Sequence, residues 1–434
     1  MAPMNSGSTN HDPLPYAPSP MGVPIPEPAA TMPAAVPGLV SVAVAGEVVV
    51  FDARSGAAHR LNPTAALVLE RCDGRRSVAE ACGEISDQFG IDVAVVTDDV
   101  GMVLADFAER GLVASTASRD QGVSGTADRR PQTVGSTHRV TRRYTVGPIQ
   151  TLDVAASIAT DDEELHRSVD ALLGSLSATS AHAEHESRTE ASSVTYELLP
   201  VLRGIDVLCD GQPVGNARGA DAALALVQWH LNGVVAEQSG RRVLVHASAA
   251  SLPDGRVALF PGEANSGKST LVAGLTRAGY GYLTDETVAI DMGSGRVEGY
   301  RKPVNLDPGS WPLFPDAVPA DAASRGDEHL VDPRALHPDA LAAAAEGPVG
   351  LVVFPTYRAG ATTTAEPLSP PAALVSLVVH CTNLGDHGQA GLDALARLVV
   401  QAPAFDMVMG GLDDAVAVIA KLTAPGPTRA SHRG

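Results

Sequence analysis

Residues 257–271, VALFPGEANSGKSTL, pass from strand to helix through a loop bounded by glycines. Val257 to Phe260 are an unbroken apolar run of strand length, and Leu271, Val272 and Leu275 recur afterwards at helical spacing. The loop fits the pattern GxxxxGK followed by Ser, in the strand-loop-helix setting that lets such a loop hold phosphate. Backbone N–H groups of the loop and of the helix N-terminus surround phosphate oxygens, the lysine reaches the terminal phosphates, and the hydroxyl ligates Mg²⁺. The expected nucleotide-binding residues are therefore Gly262, Glu263, Ala264, Asn265, Ser266, Gly267, Lys268, Ser269 and Thr270, with ATP and Mg²⁺ as cofactors. Lys268, Lys302 and Lys421 are the only lysines of the chain, which makes an accidental match improbable.

Two neighbouring segments bear on the same chemistry. Downstream, YLTDETVAI over 282–290 is an apolar strand interrupted by Asp285 and Glu286. Beside bound phosphate such a pair suits two tasks, holding Mg²⁺ together with Ser269 and accepting the proton of an acceptor hydroxyl. The alternative is a turn with solvated acids. Upstream, VLVH over 243–246 ends a strand on His246, either a satisfied core or edge residue or a functional one.

The composition limits the partners. With 31 Lys and Arg against 50 Asp and Glu, the net charge of −19 argues against nucleic acid or an anionic membrane as a partner. The four cysteines form no CxxC pair, so neither a zinc knuckle nor a redox dithiol is expected. No signal-like segment opens the chain, and no apolar run approaches the roughly 18 residues of a membrane span. A soluble, cytoplasmic protein of two or three compact units is expected from 434 residues.

Outward from the loop, the chain reads as five parts. Residues 1–37 hold ten of the 32 prolines and read as a disordered arm. Residues 38–115 begin with VSVAV and VVVF around a Gly-Glu turn, then a third short strand and three helices. Asn62-Pro63 opens the first helix, Ser77 the second, and the third runs from about Val93 to Arg110. Residues 116–142 read as a linker, 143–425 as the phosphate-binding domain and 426–434 as a frayed tail.

The block VHASAASLPDGRVALFPGEANSGKSTLVAGLTRAGYGYLTDETVAID, with RKPVNLDPGSWPLFP and VVFPTYRAG after it, resembles the catalytic core of the HPr serine kinase family and its relatives beside modified-peptide gene clusters. The resemblance implies an α/β P-loop domain on a mixed sheet, akin to phosphoenolpyruvate carboxykinase. It implies Asp285 as general base, His246 beside the transferred phosphate, and Arg358 offsetting transition-state charge. The sequence differs from the family in having Asn265 in the loop and Glu286 as the second acid. The family's HPr-gripping signature is not recognisable, so HPr is not the expected substrate.

LNPTAALVLERCDG and the residues up to Val113 resemble the PqqD-type element that binds leader peptides of ribosomally made, modified peptides. That implies an α+β, winged-helix-like module in which the leader adds a strand beside Ala58, His59, Arg60 and Leu61 and lies against Val96, Val100, Val103 and Phe107. The combined expectation is a Ser/Thr kinase of a precursor peptide, with other peptide-modifying enzymes as further partners. The alternatives are a nucleotide-binding peptide chaperone without catalysis, and a kinase of another protein or of a small molecule.

Overall fold

The structure, a computed structural model, describes residues 30–114, 144–176, 192–319, 329–343 and 346–424. The linker over 116–142, the tail over 426–434 and residues 1–29 of the arm lie outside the described residues. The chain divides into two compact units, Met1–Pro37 with Thr64–Gly122, and Gly38–Pro63 with Val123–Gly434.

The smaller unit is built on α1 (Pro63–Glu70), α2 (Val78–Phe89) and α3 (Val93–Glu109). Ser77 and Glu80 form a reciprocal capping box at the start of α2, and Gly90 ends that helix in the left-handed region, φ 66°. Asp92 caps α3 through the Ala94 N–H. Ala81, Cys82 and Ile85 of α2 and Val96, Val100, Leu104 and Phe107 of α3 are buried at helical spacing. Residues 30–37 correct the expectation of a disordered arm there. Met32 is 1% exposed, and its N–H and those of Ala35 and Val36 donate to the carbonyls of Arg76, Cys72 and Leu112. A buried methionine and a paired backbone offset the ordering entropy that the proline content alone would leave unmet.

In the larger unit, β1 (Leu39–Val44), β2 (Glu47–Asp52) and β3 (Ala57–Leu61) form an antiparallel meander in that order. A five-stranded sheet follows, β4 (Tyr144–Thr151), β5 (Val154–Thr160), β6 (Ser192–Val201), β7 (Gly204–Cys209) and β8 (Gln212–Ala217), with α4 (Glu163–Leu173) and α5 (Ala220–Glu237) in its core. The main sheet contains β9 (Arg242–Ser251), β10 (Val257–Pro261), β11 (Gly281–Thr284), β12 (Thr287–Asp291) and β13 (Arg296–Gly299), and then β16 (Glu346–Tyr357), β17 (Thr364–Leu368) and β18 (Ala404–Met409). Between β13 and β16, β14 (Val304–Leu306) and β15 (His329–Val331) pair separately, and α7 (Pro333–Leu336) follows them.

The main sheet is mixed, as expected. Its order is β10-β9-β12-β13-β16-β18-β17 with β11 on β9; β16 runs parallel to both β10 and β18, and the other pairs are antiparallel. On one face, α6 (Lys268–Arg277) and α10 (Leu412–Thr423) pack through Leu271, Leu275 and Ile419 on Phe260, Val353 and Met407. On the other, α8 (Pro370–Val378) and α9 (Leu384–Gln401) contribute Leu374, Leu377, Leu392 and Leu395 to a core shared with Val245, Leu259 and Ile290. Val44, Val49 and Phe51 of the meander are buried in that same core, so β1–β3 belong to the larger unit and not to one compact module with α1–α3. Among the described residues no helix is long and apolar enough to cross a membrane.

Candidate functional site

The fully buried strand β10 delivers the chain to the loop, and α6 carries it away. A Cβ at Gly262 would lie 2.7 Å from Ser266 Oγ, so a side chain there would close the turn's own space. Asn265 and Gly267 take positive φ, 62° and 91°. Asparagine tolerates that region, which is how the loop keeps its shape with Asn265 in place of glycine. At Gly267 a Cβ would also come within 2.7 Å of Met409 Cε. No side chain caps α6, so its first N–H groups are left for an external acceptor. Lys268, only 6% exposed, folds back so that Nζ donates to the Glu263 carbonyl at 2.6 Å. Ser266 Oγ is buried with no partner, and Thr270 shares a hydrogen bond with Ser310 at 2.6 Å. The end of β16 fixes the loop's far side, the Tyr357 N–H donating to the Ser266 carbonyl at 3.1 Å. A cavity of about 370 Å³ lies over the loop, lined by residues 261–266, Phe354 to Tyr357 and His380.

Asp285 and Glu286 occupy the turn between β11 and β12, held to β9 by Ser248 Oγ donating to the Asp285 carbonyl and the Ala247 N–H to that of Glu286, each at 3.0 Å. Asp285 is 4% exposed. Lys302, in the segment between β13 and β14, is 6% exposed and reaches both acids. Its Nζ lies 3.3 Å from Asp285 Oδ1 and donates to Glu286 Oε2. The Asn305 N–H donates to Asp285 Oδ2 at 2.8 Å and Asn232 Nδ2 to Glu286 Oε1 at 2.9 Å. The Tyr282 hydroxyl donates to the Lys302 carbonyl at 2.9 Å and stands 3.4 Å from Asp285 Oδ1. Burial raises the Asp285 carboxyl above the usual aspartate range, with Lys302 and the Asn305 N–H pulling the other way. Burial also disfavours the Lys302 ammonium, but the two carboxylates outweigh it and hold Lys302 above its ordinary value.

These positions test the expected metal site. Ser269 lies in the first turn of α6, directly after Lys268. The acidic pair does not fit: a donor meets each of its four carboxylate oxygens, and an ammonium stands between the two groups. Among the described residues no group of three or more His, Cys, Asp or Glu side chains converges as metal ligands. The assignment of Asp285 and Glu286 to Mg²⁺ is therefore corrected, because the charge that a metal would neutralise is already paired.

His246 sits on β9 opposite Thr287, and its N–H donates to the His380 carbonyl at 2.8 Å. Burial, then the nearby Lys268 charge, lowers its imidazole below the ordinary histidine range. Burial likewise lowers Lys268, against the opposing pull of Asp285, Glu263 and Glu286. Loop, lysine, histidine and acidic pair thus share one electrostatic neighbourhood. Arg358 follows β16 and is exposed, its N–H bonded to the Met409 carbonyl at 2.9 Å, and it is not among the residues lining the cavity. Two members were missed from sequence. Lys302 carried a signal in the scarcity of lysine, whereas His380, which stacks on Phe354 at 6.4 Å, carried none.

Ala58, His59, Arg60 and Leu61 form β3, the last strand of its meander, and among the described residues no further strand pairs with it. Arg60 is bound across the sheet to both carboxylate oxygens of Glu47 at 2.8 Å. On α3, Val96, Val100 and Phe107 are 4%, 2% and 0% exposed and form the core of their own unit, leaving Val103 half-buried. The expected place of Val96, Val100 and Phe107 in a peptide groove is corrected accordingly, since side chains that fill a helix–helix core do not present a surface; the half-buried Val103 falls outside this correction.

No curated protein matches the chain at a significant level. Among solved structures, TbiB1 in complex with the TbiA(beta) leader peptide is similar at 18% identity and a TM-score of 0.18, over 20% of this chain and 99% of that one. The Hpr(Ser) kinase/phosphatase from Coxiella burnetii is similar at 15% identity and a TM-score of 0.22, over 41% of this chain and 87% of that one. Residues 47–113, from β2 to the end of the helical unit, match the PqqD family, coenzyme PQQ synthesis protein D.

Proposed function

We propose that the chain is an ATP-dependent kinase of a ribosomally made precursor peptide, in which the PqqD-like segment within residues 38–115 captures the leader and residues 143–425 phosphorylate a Ser or Thr. The observation that carries this reading is the loop itself: an uncapped helix N-terminus opened by the buried Lys268, with a cavity over loop residues 261–266. The acceptor hydroxyl oxygen attacks the γ-phosphorus, the bond to the bridging oxygen breaks, ADP leaves, and Asp285 takes the hydroxyl proton. Lys268 and the loop amides hold the terminal phosphates. Ser269 would hold the Mg²⁺ that accompanies ATP and supplies further neutralisation of phosphate charge. His246, kept neutral by its surroundings, serves as a hydrogen-bonding neighbour and not as a second cation. Arg358 would turn its guanidinium toward the transferred phosphate once substrate is bound.

A specific observation favours a second reading, in which nucleotide binding switches a peptide carrier without transfer. Both Asp285 oxygens are engaged within the protein. Transfer then separates the two readings, since both require ATP binding.

The leader is expected to add to the open side of β3. Because β1–β3 share a core with α8 and α9, capture of this kind places the peptide on the unit that holds the phosphate loop. Arg60→Pro removes an N–H and distorts the strand, and should weaken precursor binding to the whole chain by about tenfold. Arg60→Ala loses only the ion pair with Glu47, which is exposed, and should bind nearly as the parent does. Titration calorimetry with the precursor checks this, and equal binding by all three proteins would remove β3 from the peptide site.

A further inference from the structure

We propose that Lys302 is a built-in cation for the Asp285–Glu286 pair, occupying the place between the carboxylates that a divalent ion would take, so that the pair itself holds no metal and any metal comes with nucleotide on the Ser269 side. The inference goes beyond the kinase reading, because it concerns what balances the acidic pair before any substrate arrives.

Geometry carries it. Asp285, 4% exposed and next to a second carboxylate, is costly to keep ionised without a counter-charge. The counter-charge present is an ammonium that touches both. Its position is fixed on several sides: the Tyr282 hydroxyl anchors the Lys302 carbonyl, while Asn305, three residues further on, donates its N–H to the same Asp285 that Lys302 faces. Asn232 on α5 donates to the other Glu286 oxygen, Oε1, at 2.9 Å. A hexacoordinate Mg²⁺ needs oxygen ligands in a near-octahedral array, and here every carboxylate oxygen already meets an N–H or ammonium donor. Charge counting agrees: one ammonium against two carboxylates leaves a single net negative charge on the cluster.

Lys302 is a positioning residue in this account. It sets the orientation of Asp285 Oδ1, whose polar neighbours, the Lys302 ammonium and the Tyr282 hydroxyl, stand at 3.3 and 3.4 Å, against 2.8 Å for the Asn305 N–H at Oδ2.

The test is Mn²⁺ binding, read by electron paramagnetic resonance on the whole chain without nucleotide. The unaltered protein should leave the free Mn²⁺ signal undiminished at sub-millimolar metal. Lys302→Met should gain one Mn²⁺ site, which Glu286→Gln in the same background removes, and Mn²⁺ should raise the unfolding temperature of Lys302→Met but not of the parent. Loss of free signal with the parent, restored by Glu286→Gln, would show that the pair ligates metal beside Lys302 and would overturn the proposal. So would a folded Lys302→Met that neither binds Mn²⁺ nor is stabilised by it. Should Lys302→Met not fold, the parent measurement decides by itself. ATP affinity in the same samples reports separately on the nucleotide site, so its absence would sink the kinase reading and leave the Mn²⁺ result standing.

Discussion

Lys268→Ala is expected to abolish turnover and weaken ATP binding by about 100-fold, the equivalent of losing about 2 to 3 kcal/mol of charge-assisted hydrogen bonding. The loop amides and the N-terminus of α6 remain in the variant, so binding falls without vanishing. Lys268 is buried and its Nζ bonds the Glu263 carbonyl, so alanine also leaves a space and an unpaired acceptor. Lys268→Met fills the space without the charge and separates the two effects. If either variant folds like the parent and binds labelled ATP as tightly, the loop does not hold phosphate.

Asp285→Asn should lower phosphate transfer by about 10²- to 10⁴-fold while ATP affinity changes little, because the amide keeps the shape and cannot accept the proton. The change has a structural cost as well. Asp285 and Lys302 are both buried, and removing one charge of a buried pair costs on the order of 3 kcal/mol. Glu286 remains as partner to the ammonium, which limits the damage. The amide Nδ2 cannot face the Asn305 N–H without opposing a donor to a donor, so the amide oxygen should take that place. Because burial raises the Asp285 carboxyl, the parent's rate should fall with falling pH at a point above the ordinary aspartate range. Below that point the base carries its proton and cannot take another. Rapid-quench transfer measurements across pH, with thermal unfolding as control, check both statements.

Local chemistry made much of this legible in the sequence. Strand β10, the glycines at 262 and 267 and the helix after Lys268 follow from residue types whose conformational preferences are strong and short-ranged. The same holds for the Ser77–Glu80 capping box and for the turns of the β1–β2–β3 meander. What the sequence hid depends on distant partners. Lys302 meets Asp285 only because the segment after β13 returns past β11, a matter of tertiary path and not of spacing. Met32 lies in a proline-rich stretch whose composition says disorder, yet one buried side chain and three backbone hydrogen bonds tie it down. The meander reads as part of the helical module that follows it, but Val44, Val49 and Phe51 find their core against α8 and α9, more than 300 residues later in the chain. Helical periodicity marked Val96, Val100 and Phe107 as inward-facing, and inward meant the core of their own unit rather than a peptide groove.

The proposed activity is transfer of the γ-phosphoryl group to a peptide on the unit that holds the loop. Its most direct test is incubation of the whole chain with Mg²⁺, ATP labelled at the γ-phosphate and the full precursor peptide, with the modified residue located by fragmentation mass spectrometry. Label is expected on a Ser or Thr of the precursor, strongly reduced in Asp285→Asn and reduced in Arg60→Pro only when the leader is present. Tight ATP binding with no label on any peptide would contradict it, and would leave a nucleotide-switched carrier.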